Sequence, residues 1–124
     1  MSIIGLGTDI VEMQRIADVL SERGETFKKR LLTEAENNLA SKRDEVIFCA
    51  GRWAAKEACS KALGCGIGKQ CSFTDIEILN ALSGQPEITL KGAALARFEQ
   101  LGGKTICLSI SHERHYAVAT VIIS

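Results

Sequence analysis

The sequence predicts a single α+β domain in which an antiparallel sheet packs on one central helix, and three observations predict it. Two β-rich runs, Thr105 to Ile110 and Tyr116 to Ile123, are separated only by the polar Ser111-His112-Glu113-Arg114-His115, so they should pair as an antiparallel hairpin. The longest uninterrupted helical signal, from about Glu45 to Leu63, is rich in Ala and Cys. Its small residues Ala50, Gly51, Ala54, Ala55, Ala58 and Ala62 let another backbone approach closely, which marks it as the central buried helix. No repeat, low-complexity run or linker-like segment divides the 124 residues, a length that makes one domain spanning 1–124.

Each remaining element follows in order. Ser2 to Ile10 is apolar, β-branched at Ile3, Ile4 and Ile10, and punctuated by Gly5 and Gly7; it predicts a strand closing in a special backbone turn. Val11, Ile16, Val19 and Leu20 recur at roughly helical spacing among charged residues, predicting an amphipathic helix that ends near Gly24. Phe27, Leu31 and Leu32 suit a further turn of helix. Thr33-Glu34-Ala35-Glu36 is a capping box that opens another helix through about Ala40. Gly64-Cys65-Gly66-Ile67-Gly68 stops the central helix with a C-cap signature. Phe73 to Leu79 alternates apolar and polar residues, and Ser83-Gly84-Gln85-Pro86 turns it back into Glu87 to Leu90, a hairpin. Lys91 to Leu101 reads as a short helix ended by Gly102-Gly103.

Composition excludes several classes. Fifteen basic and fifteen acidic side chains leave no basic excess of the kind that duplex nucleic acid selects. No stretch approaches the roughly 18 apolar residues of a membrane-spanning helix, and the N-terminus lacks the basic and long apolar regions of a secretory signal, so a cytoplasmic protein is expected. The five cysteines form an odd set without a C-x-x-C pair, which suits small buried hydrophobes better than a disulfide framework or a zinc site.

Three polar clusters interrupt the apolar pattern. Thr8-Asp9 with Glu12 follows the first strand, where Asp9 is either a helix cap or an oxygen ligand for a hard cation. On the central helix Glu57 and Lys61 stand four apart, either as a surface ion pair or as an acid that holds a metal beside a base that holds a phosphate. In Ser109-Ile110-Ser111-His112-Glu113-Arg114-His115-Tyr116 the two histidines are three apart, which fails the H-E-x-x-H zinc pattern; the segment is either a polar hairpin turn or a site where His112 meets a phosphate or acts as a base. Neither nucleotide-binding glycine loop occurs, and Gly64-x-Gly66-x-Gly68 follows a helix instead of opening one.

Taken in order, Gly5-Leu6-Gly7-Thr8-Asp9-Ile10-Val11-Glu12, then Arg52 through Gly64 (RWAAKEACSKALG), then Ser109-Ile110-Ser111-His112 resemble the holo-acyl-carrier-protein synthases, the small 4′-phosphopantetheinyl transferases. Arg30-Leu31-Leu32-Thr33, Gly66-Ile67-Gly68, Asp75-Ile76-Glu77 and Gly84-Gln85-Pro86 extend the likeness over nearly the whole chain. The resemblance implies transfer of the phosphopantetheine arm from coenzyme A to a serine of apo acyl carrier protein, with Mg²⁺ as cofactor and adenosine 3′,5′-bisphosphate released, in support of fatty acid biosynthesis. It also implies residue roles. Asp9 and Glu57 would hold the metal, Glu57 and Lys61 would be catalytic, and Lys61 and Lys56 would neutralise phosphate oxygens. His112 with Ser111 would contact the 3′-phosphate, Arg52 would add charge near the nucleotide, and Arg15 would dock the acidic recognition helix of the carrier. The serine proton would go to Glu57 or to a metal-bound water. The family likeness further implies a homotrimer with sites at subunit interfaces, His112 serving a neighbour's metal site and an exposed sheet face being apolar. Trp53 stands where many relatives have Phe, and Cys65 where a hydroxyl residue is frequent. A coenzyme A-binding module without turnover and a carrier-interaction domain using Arg15 alone are the competing readings.

Overall fold

The structure, a computed structural model, describes residues 2–124. The first strand, β1 (Gly5–Glu12), pairs antiparallel with the last, β5 (Tyr116–Ile123), and β5 pairs on its other edge with β4 (Ile106–His112). The C-terminal hairpin is thus present, in register from Ile106 opposite Ile123 to His112 opposite Ala117. A second, two-stranded sheet joins β2 (Ile76–Asn80) to β3 (Pro86–Leu90). Four helices complete the α+β fold: α1 (Met13–Leu31), α2 (Glu34–Ala40), α3 (Glu45–Ala62) and α4 (Gly92–Gln100). None of them is long and apolar enough to cross a membrane.

Helix α3 lies on the three-stranded sheet, with β1 and β5 as its main partners. Its Ala50, Ala54, Ala55 and Ala58 are fully buried, as the small-residue pattern predicts. The glycines of β1 explain how close the helix comes. A Cβ on Gly7 would sit 1.9 Å from the Ala58 carbonyl oxygen, and one on Gly5 would sit 2.1 Å from that of Ala62. The expected backbone turn at these glycines is therefore replaced by a continuous strand. Their missing side chains serve helix approach, and neither has a positive φ. For the same reason Asp9 is not a helix cap: the strand runs on to Glu12, and α1 starts only at Met13.

Two other boundaries differ from expectation. Helix α1 passes Gly24 and reaches Leu31, with a kink at Arg23, whose backbone (φ −142°, ψ 40°) leaves helical geometry. Burial accounts for the extension, because Leu31 is in the core and the Phe27 ring stacks on Trp53 at 5.9 Å. These contacts outweigh the roughly 1 kcal/mol helix penalty of a glycine. The run from Phe73 begins as a short 3₁₀ turn, Phe73–Asp75, in which Asp75 accepts from the Ser72 N–H, and becomes strand only at Ile76. The capping box of α2 is as predicted: Thr33 Oγ1 accepts from Glu36 N, and Glu36 Oε1 accepts from Thr33 N at 2.9 Å.

Alternation on β1 and β5 sends Val11, Ala117, Ala119 and Val121 inward. It leaves Leu6, Ile10, Tyr116 and Val118 exposed on the outer face, with Ile10 opposite Val118. Cys49, Cys59 and Cys71 are fully buried free thiols, and burial pushes them up to about 11, about 12 and about 12 respectively. These three are the small buried hydrophobes expected of all five, whereas Cys65 is half-buried and Cys107 is exposed, because strand alternation turns it to the outer face of β4.

Candidate active site

Two groups of polar side chains flank α3. The first lies where β1 passes under the C-terminal half of the helix. Asp9 occupies an inward position of β1, in line with Gly5, Gly7 and Val11, where the strand would otherwise place an apolar residue. Lys61 reaches down to it: its Nζ is 3.0 Å from Asp9 Oδ1 and donates to the Thr8 carbonyl oxygen at 3.0 Å. One turn earlier on the helix, Glu57 joins them. Burial, then the negative charge of Asp9, pushes its carboxyl above the usual carboxylate range, and Lys61, Arg15 and Arg30 oppose that shift. The close approach of α3 at Gly7, two positions before Asp9, lets Lys61 reach Asp9 and leaves Glu57 near enough for the Asp9 charge to act on it.

The second group lies on the other side of α3. Arg52 is 6% exposed, stacks its guanidinium 4.3 Å from the Phe48 ring centre, and donates through Nη2 to the Ile78 carbonyl and to Asn80 Oδ1. Among the described residues its Nε has no partner. Arg52 faces a cavity of about 380 Å³ that Arg43, Phe48, Asn80, Ile110 and His112 also line. A buried cation with an unused donor, beside a second arginine and a histidine, suits an anion. A larger hollow of about 450 Å³ between α1 and α2, lined by Lys28, Thr33 and Asn37 among others, contains none of the candidate residues.

A family model for the 4′-phosphopantetheinyl transferase superfamily matches residues 5–121. The chain belongs to that superfamily, as a holo-acyl-carrier-protein synthase. It is 49% identical over 124 residues to the holo-[acyl-carrier-protein] synthase of Shewanella amazonensis, covering 99% of each chain. The crystal structure of the synthase from Neisseria meningitidis superposes with a TM-score of 0.93 at 35% identity, again over 99% of both chains. The synthase from Helicobacter pylori, solved in complex with coenzyme A, matches with a TM-score of 0.86 at 37% identity, over 96% of this chain and 99% of that one.

Within this synthase chain the candidate residues do not form one cluster. Arg52 and Lys61 are nine positions apart on α3, which turns them about 180° from each other and separates them by about 14 Å along the axis. Asp9, Glu57 and Lys61 therefore lie on one face, and Arg52 with His112 on the opposite one. Ser111 parts from His112 as well. Alternation along β4 places it beside Val118, on the outer face of the sheet. Arg15 is exposed at the start of α1, 6.0 Å from the Trp53 ring and near enough to Glu57 to influence its charge.

Lys56 requires a correction. Expected to neutralise a phosphate, it is instead 0% exposed, with Nζ 2.6 Å from both Glu36 Oε1 and the Leu31 carbonyl oxygen. All of its reach is spent inside the core, so no ligand in solvent meets it. Arg43 and Asn80 escape the sequence reading. Arg43 and Asn80 lie in loop or strand-end positions with no spacing signal, and only the folded chain brings them to Arg52.

The donor set near Lys61 fits a hard divalent cation. It offers two carboxylates of oxygen donors, and among the described residues no three His, Cys, Asp or Glu converge to make a complete cage. Mg²⁺ commonly takes one or two protein carboxylates and fills its other positions with water and substrate phosphate.

Proposed function

We propose that this synthase transfers 4′-phosphopantetheine from coenzyme A to a serine of apo acyl carrier protein, with Mg²⁺, in support of fatty acid biosynthesis. The convergence of Asp9, Glu57 and Lys61 at the β1–α3 contact, in a chain of this family, carries the reading. The coenzyme A bound in the Helicobacter pylori relative supports the donor. The whole of 1–124 acts as a single transferase domain, and five free thiols suit a reducing cytoplasm.

Asp9 and Glu57 would hold Mg²⁺, which supplies charge neutralisation on the pyrophosphate. Lys61, about half exposed, is free to leave Asp9 for a phosphate oxygen. The serine oxygen bonds to the pantetheine-side phosphorus, the bridging P–O bond breaks, and adenosine 3′,5′-bisphosphate leaves with the electron pair. The serine proton is taken up at the Asp9–Glu57 end. Arg52 and His112 suit the 3′-phosphate. Because they lie on the opposite face of α3, they serve the site of a neighbouring protomer in a homotrimer. The exposed Leu6, Ile10, Tyr116 and Val118 provide an apolar sheet face for that assembly, and Ser111 on the same face comes to the interface with them.

Intact-mass measurement of apo acyl carrier protein, incubated with the synthase, coenzyme A and Mg²⁺, tests this directly. A gain of one phosphopantetheine that disappears on chelation is the expected result. No gain, from a folded chain that still binds coenzyme A, would favour a binding module. A second prediction concerns Arg15, whose exposed charge beside Trp53 suits an acidic helix. Arg15→Glu should raise the KM for the carrier roughly tenfold or more while leaving coenzyme A binding within a factor of about two. Steady-state titration of each substrate separates the two, and an equal loss of both would remove Arg15 from the docking surface.

A further inference from the structure

Helix α1 is two helical segments joined at Arg23. The near segment is tied at its start, where the Met13 N–H donates to the His115 carbonyl at 2.8 Å. The backbone leaves helical geometry at Arg23, so the angle of the far segment is set by what meets its end as well as by the near segment. That end meets the buried Lys56, whose Nζ donates to the Leu31 carbonyl and to Glu36 Oε1, both at 2.6 Å. Glu36 in turn accepts from the Thr33 N–H through Oε1 and from the Ile78 N–H through Oε2, each at 2.9 Å. Thr33 Oγ1 adds a bond of 2.6 Å to Glu77. One ion pair, wholly buried, thus joins the end of α1, the start of α2, the middle of α3 and the edge of β2.

Buried ion pairs contribute little net stability compared with apolar side chains of the same volume. This one differs from such a replacement in geometry: every atom it uses meets a backbone group or the opposite charge, and an apolar pair could meet none of them. The far segment it anchors carries Phe27, stacked on Trp53, and Arg30, 5.4 Å from the Phe73 ring. Trp53 and Glu57 are one helical turn apart on α3.

We infer that the Glu36–Lys56 pair is a positioning device for the carrier protein: it sets the angle of the far half of α1 across the kink and holds Phe27 and Arg30 against the Trp53–Glu57 side of α3. The inference rests on the reading that Arg15, on the near segment of α1, docks the carrier, and it extends that docking surface across the kink to the far segment. Neither residue touches substrate; both act through α1.

The test is the full chain carrying Glu36→Gln with Lys56→Met, which removes both charges at similar volume. Trp53 is the only tryptophan and Phe27 stacks on it, so its emission responds to displacement of the far half of α1 without reference to activity. A folded variant with shifted Trp53 emission, a carrier KM raised roughly tenfold and a coenzyme A KM within a factor of about two is expected. Unchanged emission and carrier KM in a folded variant would overturn the inference. So would a parallel rise of both KM values that follows the fall in melting temperature, since that marks a purely structural role. If the double variant does not fold, Glu36→Gln alone decides: it keeps an acceptor for Lys56 but opposes its amide to the Ile78 N–H, and should move emission and carrier KM the same way by less. Failure of both to fold would assign the pair to stability. A wild-type chain that transfers nothing would strike the functional reading, and the emission result would still stand on its own.

Discussion

Glu57→Ala should reduce kcat/KM for transfer by about three orders of magnitude or more and leave the chain folded. The size follows from the two duties proposed for one carboxylate, holding the cation and lying beside the departing serine proton. The folded outcome follows from electrostatics. Burial and Asp9 raise the Glu57 pKa in the native chain, so ionised Glu57 opposes folding at neutral pH. The sign is that of any acid whose folded pKa lies above its unfolded one: its stabilising contribution is complete below the unfolded pKa and is lost as pH rises through the folded one. Removing the charge therefore leaves metal-free protein at pH 7 at least as stable as the parent. Glu57→Gln, which keeps the volume, should behave alike. Melting curves in chelator beside the mass-shift assay check both halves; a variant that melts early, or one that keeps within tenfold of parental activity, contradicts the assignment.

Gly7→Ala should be the most damaging single methyl group in the chain. The added carbon would lie 1.9 Å from the Ala58 carbonyl oxygen and 2.7 Å from the Ala62 nitrogen, both main-chain atoms of α3 that no rotamer change can move. Relief requires the helix to lift by more than an ångström, at a cost of about 3 kcal/mol or more, near the upper end for overpacking. That corresponds to a melting temperature roughly 10–20 °C lower. Surviving folded protein should also lose transfer, because the lift moves Glu57 and Lys61 away from Asp9. Gly24→Ala is the contrasting control. Nothing lies within 4 Å of its added carbon and its φ is not positive, so a gain of about 0.4–1 kcal/mol is expected. Denaturant unfolding of the two variants should therefore give shifts of opposite sign.

Much of this architecture was legible along the chain because its signals are local. The Thr33–Glu36 box, the alanine-rich α3 and the two C-terminal strands each announce themselves within a few residues. Errors arose where a distant partner decides the outcome. Gly5 and Gly7 suggest a turn until Ala58 and Ala62 are set against them. Gly24 suggests a helix end until Phe27 finds Trp53. Lys56 and Lys61 look equivalent in the sequence, five positions apart on one helix, yet Glu36 claims the first and Asp9 the second. The candidate site was legible as a set of residues and not as a geometry. Helical rotation sends Arg52 and Lys61 to opposite sides, and strand alternation parts Ser111 from His112. Arg43 and Asn80 carried no spacing signal at all.

The contact between β1 and α3 has a consequence for how the chain tolerates change. Most catalytic groups are held apart by layers of side chains, so substitutions in those layers reach the reaction as small displacements. Here no such layer exists at Gly5 and Gly7, and main chain rests on main chain. The span from Asp9 to Glu57 is then governed by peptide geometry, which is stiff, instead of by the rotamers of core residues, which drift. The remote side of the helix answers to Arg52 and Lys56 and that of the strand to its apolar face, so the closeness of the two elements is a separate constraint that falls on the two glycines.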